Sequence, residues 1–305
     1  MDSRDSLPNS QTAAQSADRL KPNLTGAQET LLAILYSRAL DAKAASPILG
    51  DQYAVRLVDQ LDYNFSKLRV IWLKAAVIVL RARFLDQWAV EFLQQAQDGG
   101  QPVTVLHLAA GLDTRALRLQ EHCNKDGPHI HWVDVDLPDV VDVRRRLRLP
   151  EPNSKSMHYE LVGADVTDEL WLAKLQLPRD RKTLVVFEGL SMYLQPAQGR
   201  LLIEQLTDYF VKSGNQLVFD CFNWFPLMVQ RIEPIVARTG SRLSWAINDP
   251  KELEGWHRGL RLVDEILPAD NPDNVKLPLP VRVFCWIVSW IPALRTSARN
   301  LRYEW

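Results

Sequence analysis

Acidic side chains follow five short apolar runs of this sequence, close to the point where each run ends. Carboxylates accept hydrogen bonds from hydroxyl and ammonium groups, and they repel phosphates. No GxxxxGK[ST] loop is present. The pattern therefore favours a ligand with hydroxyl, amine or sulfonium groups, and S-adenosylmethionine offers a ribose, an adenine, an ammonium and a sulfonium without any phosphate. The acids are Asp113, Asp136, Asp165, Glu188 and Asp220.

The same acids have a simpler interpretation, because an acid at a strand end also caps the helix that follows. Asp113, Asp136 and Asp168 each precede a predicted helix. Five acids along one edge of one sheet favour a binding site over five separate caps.

The first of the five runs leads into HLAAGLDTR, residues 107–115, which carries a single glycine. Ala109 stands where nucleotide-binding turns usually have another glycine, and its side chain narrows the approach of the backbone to a ligand. A turn with only Gly111 need not cradle a pyrophosphate, and it can admit the compact methionine end of S-adenosylmethionine.

Two kinds of element must position these residues. Residues 24–100 read as helices, whereas the chain after Pro102 alternates short apolar runs with helical patterns. Runs that are apolar nearly throughout predict a parallel sheet covered on both faces, which is a doubly wound α/β architecture. Such a sheet binds ligands beyond the carboxyl ends of its strands. The predicted strands are Thr104–Ala109, Ile130–Val135, Tyr159–Gly163, Thr183–Phe187 and Gln216–Phe222.

Further elements are predicted on both sides of this sheet. Thr25 is expected to cap the first helix, and residues 1–23 are expected to form a disordered tail. After Phe222 we predict a helix over Trp224–Arg238 and extended segments over Leu243–Ile247 and Leu260–Ile266. The predicted helices before and within the sheet are Ala27–Leu40, Gln52–Leu61, Leu68–Gln95, Arg115–Cys123, Pro138–Leu147, Asp168–Leu175 and Pro196–Lys212.

Composition excludes several classes of protein. The 36 Lys and Arg residues nearly balance 37 Asp and Glu residues, so we expect neither nucleic acid nor an anionic membrane as a partner. The three cysteines lie far apart, without a CxxC motif or a nearby His cluster. We therefore expect no metal site and no disulfide, and a reducing, cytoplasmic location without a signal peptide.

One apolar stretch, Val283–Leu294, needs its own interpretation. Its twelve uncharged residues lie between Arg282 and Arg295, fewer than the roughly 20 that a membrane-spanning helix needs. We predict a buried helix near the C-terminus and keep an interfacial helix as the alternative.

Four segments together resemble the motif series of the leucine carboxyl methyltransferase superfamily, and most closely its branch of tetracenomycin-type polyketide O-methyltransferases. They are HLAAGLDTRALRL, WVDVDLPDVVDVRRRL, GADVTDELWL and LVVFEGLSMYL. The N-terminal LTGAQETLLAILYSRALDAKAASPILGDQYA and the C-terminal LRYEW are similar to that branch as well, so the resemblance covers about Leu24–Trp305. It implies a class I S-adenosylmethionine-dependent methyltransferase, with a helical cap over residues 24–100 and a cofactor-binding domain over 101–305.

The resemblance also implies a role for each matching residue. Gly111 and Asp113 belong to the loop that meets the methionine part of the cofactor. Arg81 pairs with the cofactor carboxylate, and Glu188 lies near its ammonium or sulfonium end. Asp136 binds the ribose, with Asp134 as the alternative, and the adenine lies beside Asp165 and Val166.

The implied reaction is O-methylation of a small polyketide-like or aromatic metabolite at a carboxyl or hydroxyl group. A carboxylate is ionised at pH 7, whereas a phenol benefits from a base. Tyr193 and His107 are the candidate bases, although His107 lies inside a strand and is expected to be a paired core residue. Trp224, just after the fifth strand, is expected to contact the substrate.

Two other functions stay open at this point. A protein of this fold can catalyse a cyclisation or isomerisation without methyl transfer, and the wider superfamily includes methyltransferases acting on a protein C-terminus. The run Arg144–Arg146 with Arg148 could bind an acidic substrate, but on a helix such a run is expected to face solvent.

Overall fold

The computed structural model describes residues 19–22, 24, 28–68, 70, 72–123, 127–152, 156–232 and 241–305. Its first three helices are α1 (Glu29–Ala42), α2 (Gln52–Gln60) and α3 (Trp72–Asp98). They confirm the predicted helical N-terminal part, with α3 beginning four residues later than predicted. Thr25, the predicted cap of the first helix, lies outside the described residues, and so do residues 1–18 and 23 of the predicted tail. Within that tail, Leu20 forms a β-bridge with Leu61.

Seven strands form one sheet in the order β3-β2-β1-β4-β5-β7-β6. The five predicted strands are all present and pair in parallel, which confirms the doubly wound arrangement. The sixth strand confirms the extended segment predicted at Leu260–Ile266, whereas Leu243–Ile247 joins no ladder of the described sheet. Strand bounds are β1 (Val103–Leu108), β2 (Ile130–Asp136), β3 (Met157–Gly163), β4 (Lys182–Phe187), β5 (Gln216–Phe222), β6 (Arg261–Ile266) and β7 (Ala298–Glu304).

The last strand was not predicted. It runs antiparallel between β5 and β6, with Leu217 opposite Tyr303 in its register. Its sequence ARNLRYE alternates charged and apolar residues and lacks the continuous apolar character of the other central strands. The position of β7 between two other strands depends on the whole sheet, so the seven residues of β7 alone do not predict that it is a central strand.

Helices cover both faces of the sheet. Alternate residues of β1 point to opposite faces, so Leu106 and Leu108 join one core while Val103 and Val105 join the other. The remaining helices are α4 (Arg115–Leu119), α5 (Pro138–Arg146), α6 (Trp171–Lys174), α7 (Pro196–Tyr209), α8 (Trp224–Val229), α9 (Leu279–Ser289) and α10 (Pro292–Arg295).

The N-terminal helices are tied closely to this sheet. Helix α3 buries Leu85, Phe92 and Leu93 against β1, β4 and β5, so it shares a core with the sheet. Helix α1 packs on α2 and α3 and brings Leu31 over the loop after β1. The division into a cap and a cofactor-binding domain at residue 100 stays a prediction.

The C-terminal apolar stretch corrects one expectation. A helix is present, as α9, but none of its residues is buried, and Trp290 just after it is 71% exposed. An apolar run predicts burial only when another element covers it, and no described element covers this one. No described helix combines the length and apolar character that crossing a membrane requires.

Candidate active site

The loop after β1 has an unusual backbone at two positions. Ala109 has φ +50° and Gly111 has φ +51°, both in the left-handed region. The Gly111 N–H donates to Asp136 Oδ2 at 2.6 Å, and the Gly111 carbonyl accepts from Arg144 Nη1 at 3.2 Å. The loop is therefore held on both sides of Gly111 by residues of β2 and α5.

Ala109 carries backbone strain, because an L-residue with a Cβ in this region costs about 1–2 kcal/mol. Ala109→Gly is expected to raise the free energy of unfolding by about 0.5–1 kcal/mol, since the extra freedom of glycine in the unfolded chain offsets part of the relief. Urea denaturation measures the change. Ala110→Gly is the matched control and is expected to destabilise, because Ala110 has no positive φ and is buried. Equal losses in both variants would show that Ala109 is unstrained.

Asp136 and Asp134 end β2, yet their carboxylates differ in what they contact. Each oxygen of Asp134 already accepts two hydrogen bonds, and the side chain is fully buried. Asp136 is partly exposed, and the only described groups that donate to it are the backbone N–H groups of Gly111 and Leu137. This arrangement favours Asp136 over Asp134 for the predicted ribose contact. The donors to Asp134 are His107, Trp132, Arg144 and Tyr159, at 2.7–3.0 Å.

Opposite charges explain why Asp134 remains ionised inside the protein. Burial alone would raise its pKa, but Arg144 and the hydrogen bond from His107 lower the pKa to about 2. Arg144 is thus buried against Asp134, which corrects the expectation that the arginine run faces solvent. Only Arg145, Arg146 and Arg148 of that run are exposed.

Glu188, at the end of β4, is surrounded by arginines from three helices. Its oxygens lie 2.7 Å from Arg115 Nη2, 3.0 Å from Arg81 Nη2 and 3.1 Å from Arg38 Nη2. Burial would raise the pKa of Glu188, but these guanidiniums lower it to about 2. The carboxylate therefore ties α1, α3 and α4 to the carboxyl edge of the sheet.

Arg38 was missed by the sequence analysis. It is buried, bonds Asp113 at 2.7 Å through Nη1, and lines a small cavity beside the loop after β1. Neither Arg38 Nε nor Asp113 Oδ2 has a hydrogen-bond partner among the described residues. Its role could have been predicted from its spacing: Arg38 follows Leu31 and Leu35 at helical spacing, which places a cation on an apolar helix face.

His107 is a paired core residue, as expected. Its Nδ1 lies 3.0 Å from Asp134 Oδ1, and its Nε2 lies 3.1 Å from Arg115 Nη1. Because a guanidinium only donates, Nε2 accepts and Nδ1 carries the proton. Both ring nitrogens are therefore occupied, and His107 has none left to accept a proton from a substrate.

Two cavities adjoin at this edge of the sheet, and both contact Ile34 of α1. The small one measures about 30 Å³ and contacts Ala109, Asp113 and Glu188. The large one measures about 460 Å³ and is mostly apolar. The Arg81–Glu188 pair bridges them, since Arg81 lines the large cavity and Glu188 the small one. Apolar and aromatic walls of the large cavity include Val77, Met192, Tyr193, Phe222, Phe225 and Val229.

The remaining predicted site residues lie at different depths. Tyr193 lines the large cavity, and so does Phe225. Trp224, next to Phe225, is half-exposed and does not line the cavity. Asp165 is exposed after β3 and accepts from Thr167 N and Oγ1, while Val166 packs on the core. Asp220, two residues before the end of β5, lines the large cavity and accepts from Arg81 Nη1 at 2.7 Å.

The strand order with one antiparallel strand, together with acids along the carboxyl edge, defines a class I methyltransferase fold. A solved duf574 family protein from Streptomyces avermitilis MA-4680 shares the fold, with a TM-score of 0.55 at 13% identity over 88% of this chain and 96% of that one. A family model for leucine carboxyl methyltransferase matches residues 32–207. The chain belongs to this family and is an S-adenosylmethionine-dependent methyltransferase, which confirms the resemblance.

Two relatives cover most of the chain. The tetracenomycin polyketide synthesis O-methyltransferase TcmP of Streptomyces glaucescens is 38% identical over 282 residues, 92% of this chain and 97% of that protein. The S-adenosyl-L-methionine-dependent methyltransferase dpfgK of Gibberella zeae is 34% identical over 261 residues, 82% and 85% of the two chains.

Proposed function

We propose that this enzyme methylates an oxygen atom, in a carboxyl or hydroxyl group, of a small polyketide-like or aromatic metabolite. The observation that carries the proposal is the apolar cavity of about 460 Å³, which adjoins the small cavity at the loop after β1. Its size and lining suit a flat, mostly apolar molecule. The similarity to TcmP, an O-methyltransferase of polyketide synthesis, supports the same class of substrate.

The residues at this edge fit the chemistry of S-adenosylmethionine. Asp136 offers partly exposed acceptors to the ribose hydroxyls. Among the described residues neither Arg38 Nε nor Asp113 Oδ2 has a hydrogen-bond partner, although Asp113 Oδ2 lies 3.4 Å from Arg115 Nη1. These atoms suit the carboxylate and ammonium of the methionine part. We assign the cofactor carboxylate to Arg38 together with Arg81, and the adenine to Asp165 and Val166.

Leu31 of α1 decides how the cofactor enters. A Cβ built on Gly111 would lie 2.7 Å from Leu31 Cδ2, so this side chain covers the loop closely. The cavity of about 30 Å³ beside Gly111 is too small for a methionine moiety. Binding therefore requires Leu31 to move away from Gly111, and its return would exclude water from the site.

When bound, S-adenosylmethionine supplies an electrophilic methyl group, and its thioether leaves without needing a proton. The protein aligns and desolvates the acceptor oxygen. Arg81, at the cavity wall, can orient a carboxylate acceptor, which needs no base. A hydroxyl acceptor would use Tyr193 or Asp220 as its base. Burial and the nearby Glu188 raise the pKa of Asp220. In this proposal Phe225 takes the substrate contact expected of Trp224.

Calorimetry with S-adenosylmethionine, followed by detection of S-adenosylhomocysteine, tests the proposal. Aromatic and polyketide acids should be compared with phenols of matched shape, and the methyl ester or ether should be identified. Failure to bind the cofactor would contradict the assigned site. Binding without turnover on a broad panel would favour a cyclisation or isomerisation, and turnover only on a peptide C-terminus would favour a protein methyltransferase.

The ribose assignment predicts a specific loss of affinity. Asp136→Ala is expected to weaken cofactor binding by about 1–3 kcal/mol, the range for leaving hydrogen-bond partners unpaired. Calorimetry on the variant measures it. Asp168→Ala is a matched control, because Asp168 is an exposed acid in a strand-end loop that also accepts a backbone N–H, from Leu170 at 2.9 Å. An unchanged affinity in Asp136→Ala would show that another residue binds the ribose.

A further inference from the structure

We propose a binding site for a divalent transition-metal ion of the zinc class near the start of β2 and β3. Its ligands are His131, His158 and Glu160. The site is separate from the methyl-transfer site, and the proposal does not depend on the substrate or reaction assigned there.

Strand register brings the three side chains to one face. His131 of β2 pairs directly with His158 of β3, and residues paired in a parallel ladder point to the same side. Glu160 follows His158 by two residues and therefore points the same way. Pairing of β2 with β3 brings the three ligands together. In the sequence they lie in two separate segments, HIH (residues 129–131) and MHYE (residues 157–160).

The ligand atoms already lie close to the spacing that a metal ion requires. Glu160 Oε1 is 2.8 Å from His131 Nε2 and 2.9 Å from His158 Nε2, and all three atoms lie within 4.8 Å of one another. Ligands about 2.0–2.2 Å from a shared zinc ion are about 3.0–3.5 Å apart. Binding therefore needs a small rotation of the two imidazoles toward each other and the release of the Nε2 hydrogens that face Glu160, since a metal ion binds the Nε2 lone pair.

The chemistry of the cluster suits such an ion. Two imidazoles and one carboxylate are a ligand set preferred by Zn²⁺ and its neighbours in the first transition series. The side chains are 14%, 56% and 42% exposed for His131, His158 and Glu160, so an ion reaches them directly from solvent.

A third imidazole, that of His129, lies near the cluster but outside it. The His129 ring centroid lies 6.3 Å from that of His158, and its position two residues before His131 places it on the same side.

The position of the site defines its role. His131 precedes Asp136 by five residues, about 16 Å along an extended strand. The ion is therefore too far from the cofactor loop to take part in methyl transfer. It would instead clamp the edge strand β3 to β2 and stabilise the folded chain by binding only when the two strands are paired.

Titration of the full, untagged chain with ZnCl₂ by calorimetry tests the proposal. We expect one ion per chain with a dissociation constant on the order of 10 μM or tighter, and a rise of several degrees in Tm. His158→Ala and Glu160→Gln should each weaken binding at least about tenfold and abolish the Tm rise. Their affinity for S-adenosylmethionine should not change.

Two controls separate this site from casual zinc binding. His257→Ala should bind zinc like the parent chain, because His257 also lies near a carboxylate, Asp208 at 3.9 Å, but has no second imidazole beside it among the described residues. Cys285→Ser should likewise retain binding, which excludes the partly exposed thiol. Absence of zinc binding in the parent chain, or binding that survives His158→Ala unchanged, would overturn the proposal.

Discussion

Gly111→Ala is expected to lower the affinity for S-adenosylmethionine by on the order of 100-fold and the free energy of unfolding by about 1–2 kcal/mol. The stability loss comes from φ +51° at this position. The loss of affinity has a separate cause. The new Cβ would point into the space that Leu31 now covers, where the methionine part of the cofactor must approach the backbone. Calorimetry and urea denaturation on the same variant measure the two effects.

Gly100→Ala separates backbone strain from ligand contact. Gly100 has φ +61°, and nothing lies within 4 Å of a Cβ built on it. This variant should lose similar stability while binding the cofactor like the parent chain. If Gly111→Ala also kept its affinity, the close approach of the loop to the cofactor would be refuted.

Glu188→Gln is expected to cost about 3–5 kcal/mol of the free energy of unfolding, because it removes the carboxylate that two buried guanidiniums and one partly exposed guanidinium share. Arg38, Arg81 and Arg115 all contact Glu188 within 3.1 Å. Glutamine keeps the size of the side chain but removes its charge. Urea denaturation followed by tryptophan fluorescence measures the change.

Glu204→Gln is the surface control for this prediction. Glu204 pairs with Arg200 at 2.8 Å in one helix, with both side chains at least one-third exposed. An exposed pair contributes at most about 1 kcal/mol. Losses of similar size in the two variants would mean that burial adds nothing to the contribution of Glu188.

The lowered pKa of Glu188 also predicts a pH dependence. The unfolded chain binds this proton near the ordinary value of 4.5, whereas the folded chain binds it only near 2. The contribution of Glu188 to stability is therefore complete above about pH 4.5 and is lost as the pH falls to about 2. Glu188→Gln should flatten this part of the profile of unfolding free energy against pH, and an unchanged slope would assign it to other carboxylates.

Much of the fold follows from local pattern. Continuous apolar runs of strand length predicted β1–β5, because a parallel strand between two helical layers is buried on both faces. Apolar residues at helical spacing predicted α1, α2 and α3, because one face of each helix packs against the rest of the protein. The antiparallel β7 and the exposure of α9 were not predictable, since both depend on which elements lie beside them.

The candidate site divides in the same way. Asp113, Asp136 and Glu188 could be placed at one edge because the carboxyl ends of parallel strands meet there. The sequence could not predict that the carboxylate of Asp134 is buried and fully hydrogen-bonded whereas that of Asp136 is partly exposed. Arg38 and Arg144 lie on other elements, and only packing brings them to Glu188 and Asp134.

The sequence by itself determined the order of β1–β5 and of the helices between them along the chain, the acids at the carboxyl edge and the methyltransferase family. These depend on residues that are neighbours along the chain or recur at a fixed period. Tertiary structure alone decided the arginine cluster around Glu188, the contact of Leu31 with Gly111, the apolar cavity and the His131–His158–Glu160 cluster. Each joins side chains from separate elements, and their contacts depend on strand register and helix packing, which no local pattern encodes.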